Sequence, residues 1–190
     1  MTLTDTYRPP AVATRIGETD IARTEFILPT LGFSVQIEGA EPLPDHLSAE
    51  IKQHTTHFDL TFSSRGDLID TITALLWRNG FDDFMVTADG AMRHHGQSGS
   101  HVALRHPGDP ALAIGVATIT EQALCARADG TTATWVVAQE ATTADDLCAA
   151  LANTAPAQLH RYFSFSHVRL FHDGAAEISR NFPGVLFAQH

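Results

Sequence analysis

Thr131 to Leu151 reads TTATWVVAQEATTADDLCAAL, and this segment sets the architecture. Trp135 to Ala138 form an apolar strand, a polar turn follows, and the turn opens a helix whose first residues include Asp145 and Asp146. Thr143 can cap that helix, with Asp146 three residues on closing an approximate capping box. Both acids then fall where the helix dipole favours negative charge. Helix initiation is the leading interpretation of these carboxylates, and a chemical role has to be argued from the rest of the chain.

Upstream, Phe58, Leu60 and Phe62 alternate as a strand, Ser63 to Gly66 make a turn, and Leu68, Ile69, Ile72, Leu75 and Leu76 follow at helical spacing. Ser64 suits the N-cap with Asp67 three residues later, and Asn79-Gly80 ends the helix. Phe84 to Thr87 is the next strand. Phe33, Val35 and Ile37 alternate in an earlier one, after a bend at Pro29 and Gly32, and a short helix is expected around Pro44 to Lys52. Ala88-Asp89-Gly90 reads as a turn, and Ala91 to Pro107 as a hairpin with a Gly/Ser-rich tip at 96 to 100. Ala111 to Ile119 is an apolar strand, and Asp129-Gly130 joins two more. Residues 158 to 174 read as a short helix and strand, and Phe182 to Phe187 as a closing strand or tail. There is no sequence repeat.

The pattern predicts an α+β protein with six or seven strands and three or four helices, packed as a mixed or antiparallel sheet carrying helices. Residues 1–22, with paired prolines and no periodicity, are expected to be a loosely ordered arm, and residues 23–190 a single domain.

Twelve basic against 22 acidic residues leave a net charge of -10, which opposes nucleic-acid binding in the absence of a basic run. No apolar stretch approaches the ~20 residues needed to cross a bilayer. The polar, proline-bearing N-terminus lacks a signal-peptide core, and the isolated Cys125 and Cys148 suit a reducing compartment. The expected location is cytoplasmic, without membrane or nucleic-acid partners. His46, His54 and His57 show no HxH or HxxxH pair with a nearby acid, which makes them surface residues. His94, His95, His101 and His106 are the right residue type for a transition metal, but strand alternation puts His94 and His95 on opposite faces.

Taken in order, several short motifs resemble the FAD:protein FMN transferase (ApbE) family. Trp135-Val136-Val137-Ala138 and Thr143 to Leu151 are similar to its VTVxA strand and T-x-ADALATAL run. Asp59 to Asp70 is similar to its DLGGIAKGYAVD, Thr87 to Ala91 to its NAGGD turn, Leu104 to Pro107 to its I-x-x-P, and Thr30 to Phe33 to its MGT strand. Phe163 to Gly174 is similar to its short strand ending in DG. The resemblance spans about residues 23 to 187. The family's HIIDPxTG segment has no counterpart, its ATSG run falls at Cys125-Ala126-Arg127, its KG lysine is Arg65, and Asp89 replaces a glycine.

The resemblance implies Mg²⁺-dependent transfer of FMN from FAD to a Thr or Ser of an acceptor flavoprotein. It implies Asp145 as the catalytic, metal-holding carboxylate, with Ala149 and Ser64 as further Mg²⁺ ligands, and Ser64, Arg65, Gly66, Asp70, Thr87 and Gly90 around the FAD. A hard cation completed by substrate phosphates suits phosphoryl transfer. Two alternatives stand beside this one. One is a binding module for flavin or another small molecule without transfer, which the missing motifs favour. The other is an interaction or scaffold protein in which Asp145 is a helix cap.

Overall fold

Residues Phe33–Glu38 (β3) bury Phe33, Val35 and Ile37 and leave the residues between them half-buried, the two-residue period of a strand with one face on a core. The computed structural model describes residues 13–15, 23–28, 32–38, 42–56, 64–130 and 132–187. The expected strand at Phe58 to Phe62 lies outside them.

The other strands are β1 (Ala13–Arg15), β2 (Arg23–Leu28), β4 (Phe84–Ala88), β5 (Ala91–His95), β6 (Ser100–His106), β7 (Asp109–Ile119), β8 (Ala123–Ala128), β9 (Thr132–Ala138), β10 (Ser166–Phe171), β11 (Ala176–Ile178) and β12 (Gly184–Leu186). The helices are α1 (Asp45–Thr56), α2 (Arg65–Arg78), α3 (Ala141–Ala150) and α4 (Pro156–Leu159). Among the described residues every strand pairing is antiparallel. An eight-stranded sheet runs β11-β10-β9-β8-β5-β4-β3-β2, and a four-stranded sheet runs β1-β6-β7-β12.

The middle strands of the large sheet, β4, β5, β8 and β9, are buried on both faces, and alternation within single strands shows how. In β9, Val136 and Ala138 join the core under the helices, whereas Ala133, Trp135 and Val137 join the core against the small sheet. This double burial is why Trp135 to Ala138 reads as an unbroken apolar run. On the helical face, α1 contributes Leu47 and Ile51 at a spacing of four, and α2 contributes the whole expected stripe of Leu68, Ile69, Ile72, Leu75 and Leu76. The result is one α+β domain of three layers: helices, large sheet, small sheet.

Several expectations need correcting. Ala91 to Pro107 is not a hairpin: β5 pairs with β4 and β8, whereas β6 pairs with β1 and β7, so the Gly/Ser-rich segment carries the chain from one sheet to the other. Part of the expected N-terminal arm, Ala13–Arg15, is a strand paired with β6. The strand count is twelve among the described residues, because three-residue strands such as β1, β11 and β12 are too short to show a period. The order of elements also repeats without any sequence repeat. Two strands, a helical connection and two strands occur twice, as β2-β3-(α1, α2)-β4-β5 and β8-β9-(α3, α4)-β10-β11, and the halves meet where β5 pairs with β8. No described helix is long and apolar enough to cross a membrane.

Candidate functional site

The two halves meet at the first turns of α2 and α3, and three expected site residues lie there for structural reasons. Ser64 is the N-cap of α2, its side chain accepting the Asp67 amide at 3.1 Å. Gly66 is buried, and a Cβ on it would stand 2.4 Å from the Ala141 carbonyl and the Thr142 backbone. Its missing side chain therefore admits the backbone of α3. Asp70, one turn further along α2, accepts the amides of Ala141 and Thr142 at 3.0 and 2.9 Å and also pairs with Arg93 of β5. The α3 N-terminus, where a phosphate would be favoured, already holds this carboxylate. The expected Thr143 cap is corrected accordingly. Glu140 is the N-cap, makes no side-chain capping bond, and leaves Thr143 inside the helix with Asp145 beyond its first turn.

Asp145 is 1 % exposed. Its Oδ1 accepts Arg65 Nη2 at 2.7 Å, Arg127 Nη2 at 2.8 Å and the Cys125 thiol at 3.2 Å. Arg65 also donates through Nη1 to the carbonyl of Asp89 in the β4–β5 turn, where Asp89 and Gly90 both have positive φ, 44° and 84°. The structure thus joins Arg65 to Asp145, two residues that the resemblance placed in one centre, and brings Gly90 beside Arg65. Burial by itself would raise the Asp145 pKa, but the Arg65 and Arg127 guanidiniums outweigh it and lower the value to about 2. Burial likewise opposes the charge on Arg65, and Cys125 and Asp145 more than offset it, so its pKa rises.

This arrangement does not fit the Mg²⁺ set of Asp145, Ala149 and Ser64 carried over from the resemblance. Two guanidiniums already share the Asp145 oxygen, and a dication beside them would meet two like charges. The Ser64 carbonyl, the group the resemblance offers there, already accepts the Asp67 amide at 3.1 Å, and Ala149 is exposed on α3. Among the described residues no group of three His, Cys, Asp or Glu side chains is placed to hold a metal ion. Thr87 pairs with Ser34 across β3 and β4 at 2.8 Å. The centre is chemically a buried ion-pair clasp between the two halves.

The histidines divide as alternation predicts. His94 Nε2 lies 3.2 Å from Asp83 Oδ1, whereas His95 packs its ring against Phe84 and Trp77. His101 and His106 belong to β6 in the other sheet, bonded to Thr118 and Gly108.

A different feature offers room for a ligand. A broad, open cleft of about 730 Å³ lies between α4 with the segment after it and the β10–β11 edge. His160 stacks on Phe165 with centroids 4.0 Å apart and planes 8° from parallel, while Tyr162 and Phe163 are 81 % and 47 % exposed. His167, on β10, is 3 % exposed and lines the cleft, yet neither ring nitrogen makes a hydrogen bond. Its Nε2 is 3.7 Å from Glu177 Oε1. Burial pushes the His167 pKa down; Glu177 opposes the shift and His160 adds to it. HRYFSFSH, residues 160–167, reads locally only as helix and strand, although five aromatic and histidine side chains in eight residues could have marked it.

No protein-family model matches the chain, and no curated protein matches it.

Proposed function

We propose that this protein is a binding module for a small molecule, seated in the cleft between α4 and the β10–β11 edge, and that it performs no phosphoryl transfer. The observation that carries this is the lining of the cleft, where Tyr162 and Phe163 stand exposed beside Arg161 and Arg180. Asp145, closed by Arg65 and Arg127, supports a structural role for the α2–α3 junction.

The test is a fluorescence titration of FAD with and without Mg²⁺, together with an assay for AMP release. Saturable binding that ignores Mg²⁺ and weakens in Phe163→Ala, with no AMP released, is the expected result. AMP release that needs both Mg²⁺ and Asp145 would overturn it in favour of the flavin transferase. Failure of FAD, AMP and 2-naphthoate all to bind would favour the scaffold interpretation.

A further inference from the structure

The basic residues divide sharply. Of those whose side chains are described, Arg65, Arg93, Arg127 and Arg169 pair with carboxylates, Arg78 and Arg105 donate to backbone carbonyls, and Lys52 sits 5.9 Å from the centre of the Phe26 ring. Arg161 and Arg180 alone among them have no partner among the described residues, and both line the cleft. In a chain of net charge -10, two unpaired guanidiniums on one concave surface create a local field opposite to that of the whole molecule. A guanidinium presents a planar fork of donors matched to phosphate or carboxylate oxygens. Glu177, the acid lining the cleft, is engaged by Arg169 at 3.4 Å, so its charge is balanced from the sheet side.

The rest of the lining is aromatic. Tyr162 and Phe163 are among the most exposed large apolar side chains described. Exposed rings beside an unpaired cation make a surface for a flat partner, because a π face can stack while the charged end of the same molecule meets the guanidinium.

We infer that the cleft takes a planar aromatic molecule bearing a phosphate or carboxylate, with its ring against Tyr162 and Phe163 and its anion held by Arg161 and Arg180. This inference rests on the cleft being the ligand site, and it specifies the chemistry of the occupant.

The experiment titrates the full chain with four probes, AMP, adenosine, inorganic phosphate and 2-naphthoate, following amide shifts by NMR. The same titrations are run on Arg161→Ala, Arg180→Ala and the double variant, all substitutions at exposed positions. AMP or 2-naphthoate should shift residues 160–167 and 177–181 and bind roughly tenfold more tightly than adenosine or phosphate alone, an advantage the double variant loses. Whichever of the two anions binds more tightly identifies the group. Adenosine binding as tightly as AMP in the same cleft would overturn the role of the arginines while leaving the cleft as a ligand site. Phosphate binding as tightly as AMP would overturn the role of the rings. Shifts confined to other surfaces and unchanged in the double variant would overturn the cleft itself as the site. No shift with any probe overturns the inference.

Discussion

Asp70 of α2 accepts the backbone amides of Ala141 and Thr142, 71 and 72 residues further along the chain, and so caps the helix of the other half. This contact replaces the local cap that α3 lacks at Glu140. Asp70→Ala removes both amide partners and leaves Arg93 without its carboxylate. The expected loss is about 2 kcal/mol in a urea denaturation, with faster hydrogen exchange at Ala141 and Thr142. Unchanged exchange at those two amides would show that the cap does not hold the helix.

Gly66 lets the backbones of α2 and α3 approach closely. A methyl group there would meet backbone atoms at 2.4 Å, which a rotamer change cannot relieve. Gly66→Ala should therefore destabilise by about 3 kcal/mol despite the higher helix propensity of alanine. A rise in stability would mean that propensity wins and that the helices can separate without loss.

Asp145 has a folded pKa of about 2 against an ordinary 3.8, so the unfolded chain binds more protons between those values. The contribution of this group is fully present above about pH 4 and is lost as the pH falls towards 2 and below. From the shift it amounts to about 2 kcal/mol. Acid denaturation of the parent protein and Asp145→Asn should show the parent more stable at pH 7, with the gap narrowing only below pH 4. A gap that stays constant down to pH 2 would contradict the ion-pair clasp.

Cys125 and Cys148 are buried free thiols. The neighbouring Cys148, burial and Asp145 together push the Cys125 thiol well up. Thiolate is the reactive form of Cys125 and burial shields both thiols, so neither cysteine should react with iodoacetamide at pH 8 in the native state within the time that both react in urea. Rapid native labelling of Cys125 would show that the α3–β8 contact opens readily.

Features made by neighbours in the chain were legible in advance. The Ser64 cap with Asp67, the stop at Asn79-Gly80, the Asp89-Gly90 turn and the Asp129-Gly130 hairpin each follow from side chains within three residues of the feature they set. The opposite faces of His94 and His95 follow from strand alternation. The Ala91 to Pro107 segment misled because a Gly/Ser tip between two strands looks the same whether the strands pair or part into different sheets. Thr143 misled similarly, because a threonine before two acids has the grammar of a cap while the real cap comes from α2.

Periodicity and turn chemistry act over a few residues, and in this chain they were enough to specify elements, their ends and an α+β class. Which strands share a sheet, which carboxylate caps α3, and why Arg65 and Arg127 close on Asp145 depend on residues 18 to 80 positions apart, with no shared local pattern. The cleft is of the same kind. His167 becomes buried against Glu177 only when β11 brings Glu177 to Ser179 beside β10, and Arg161 and Arg180 line one cleft only because α4 and the turn after β11 pack at the same sheet edge. Burial and charge pairing are properties of packed neighbours, so the site arises with the packing.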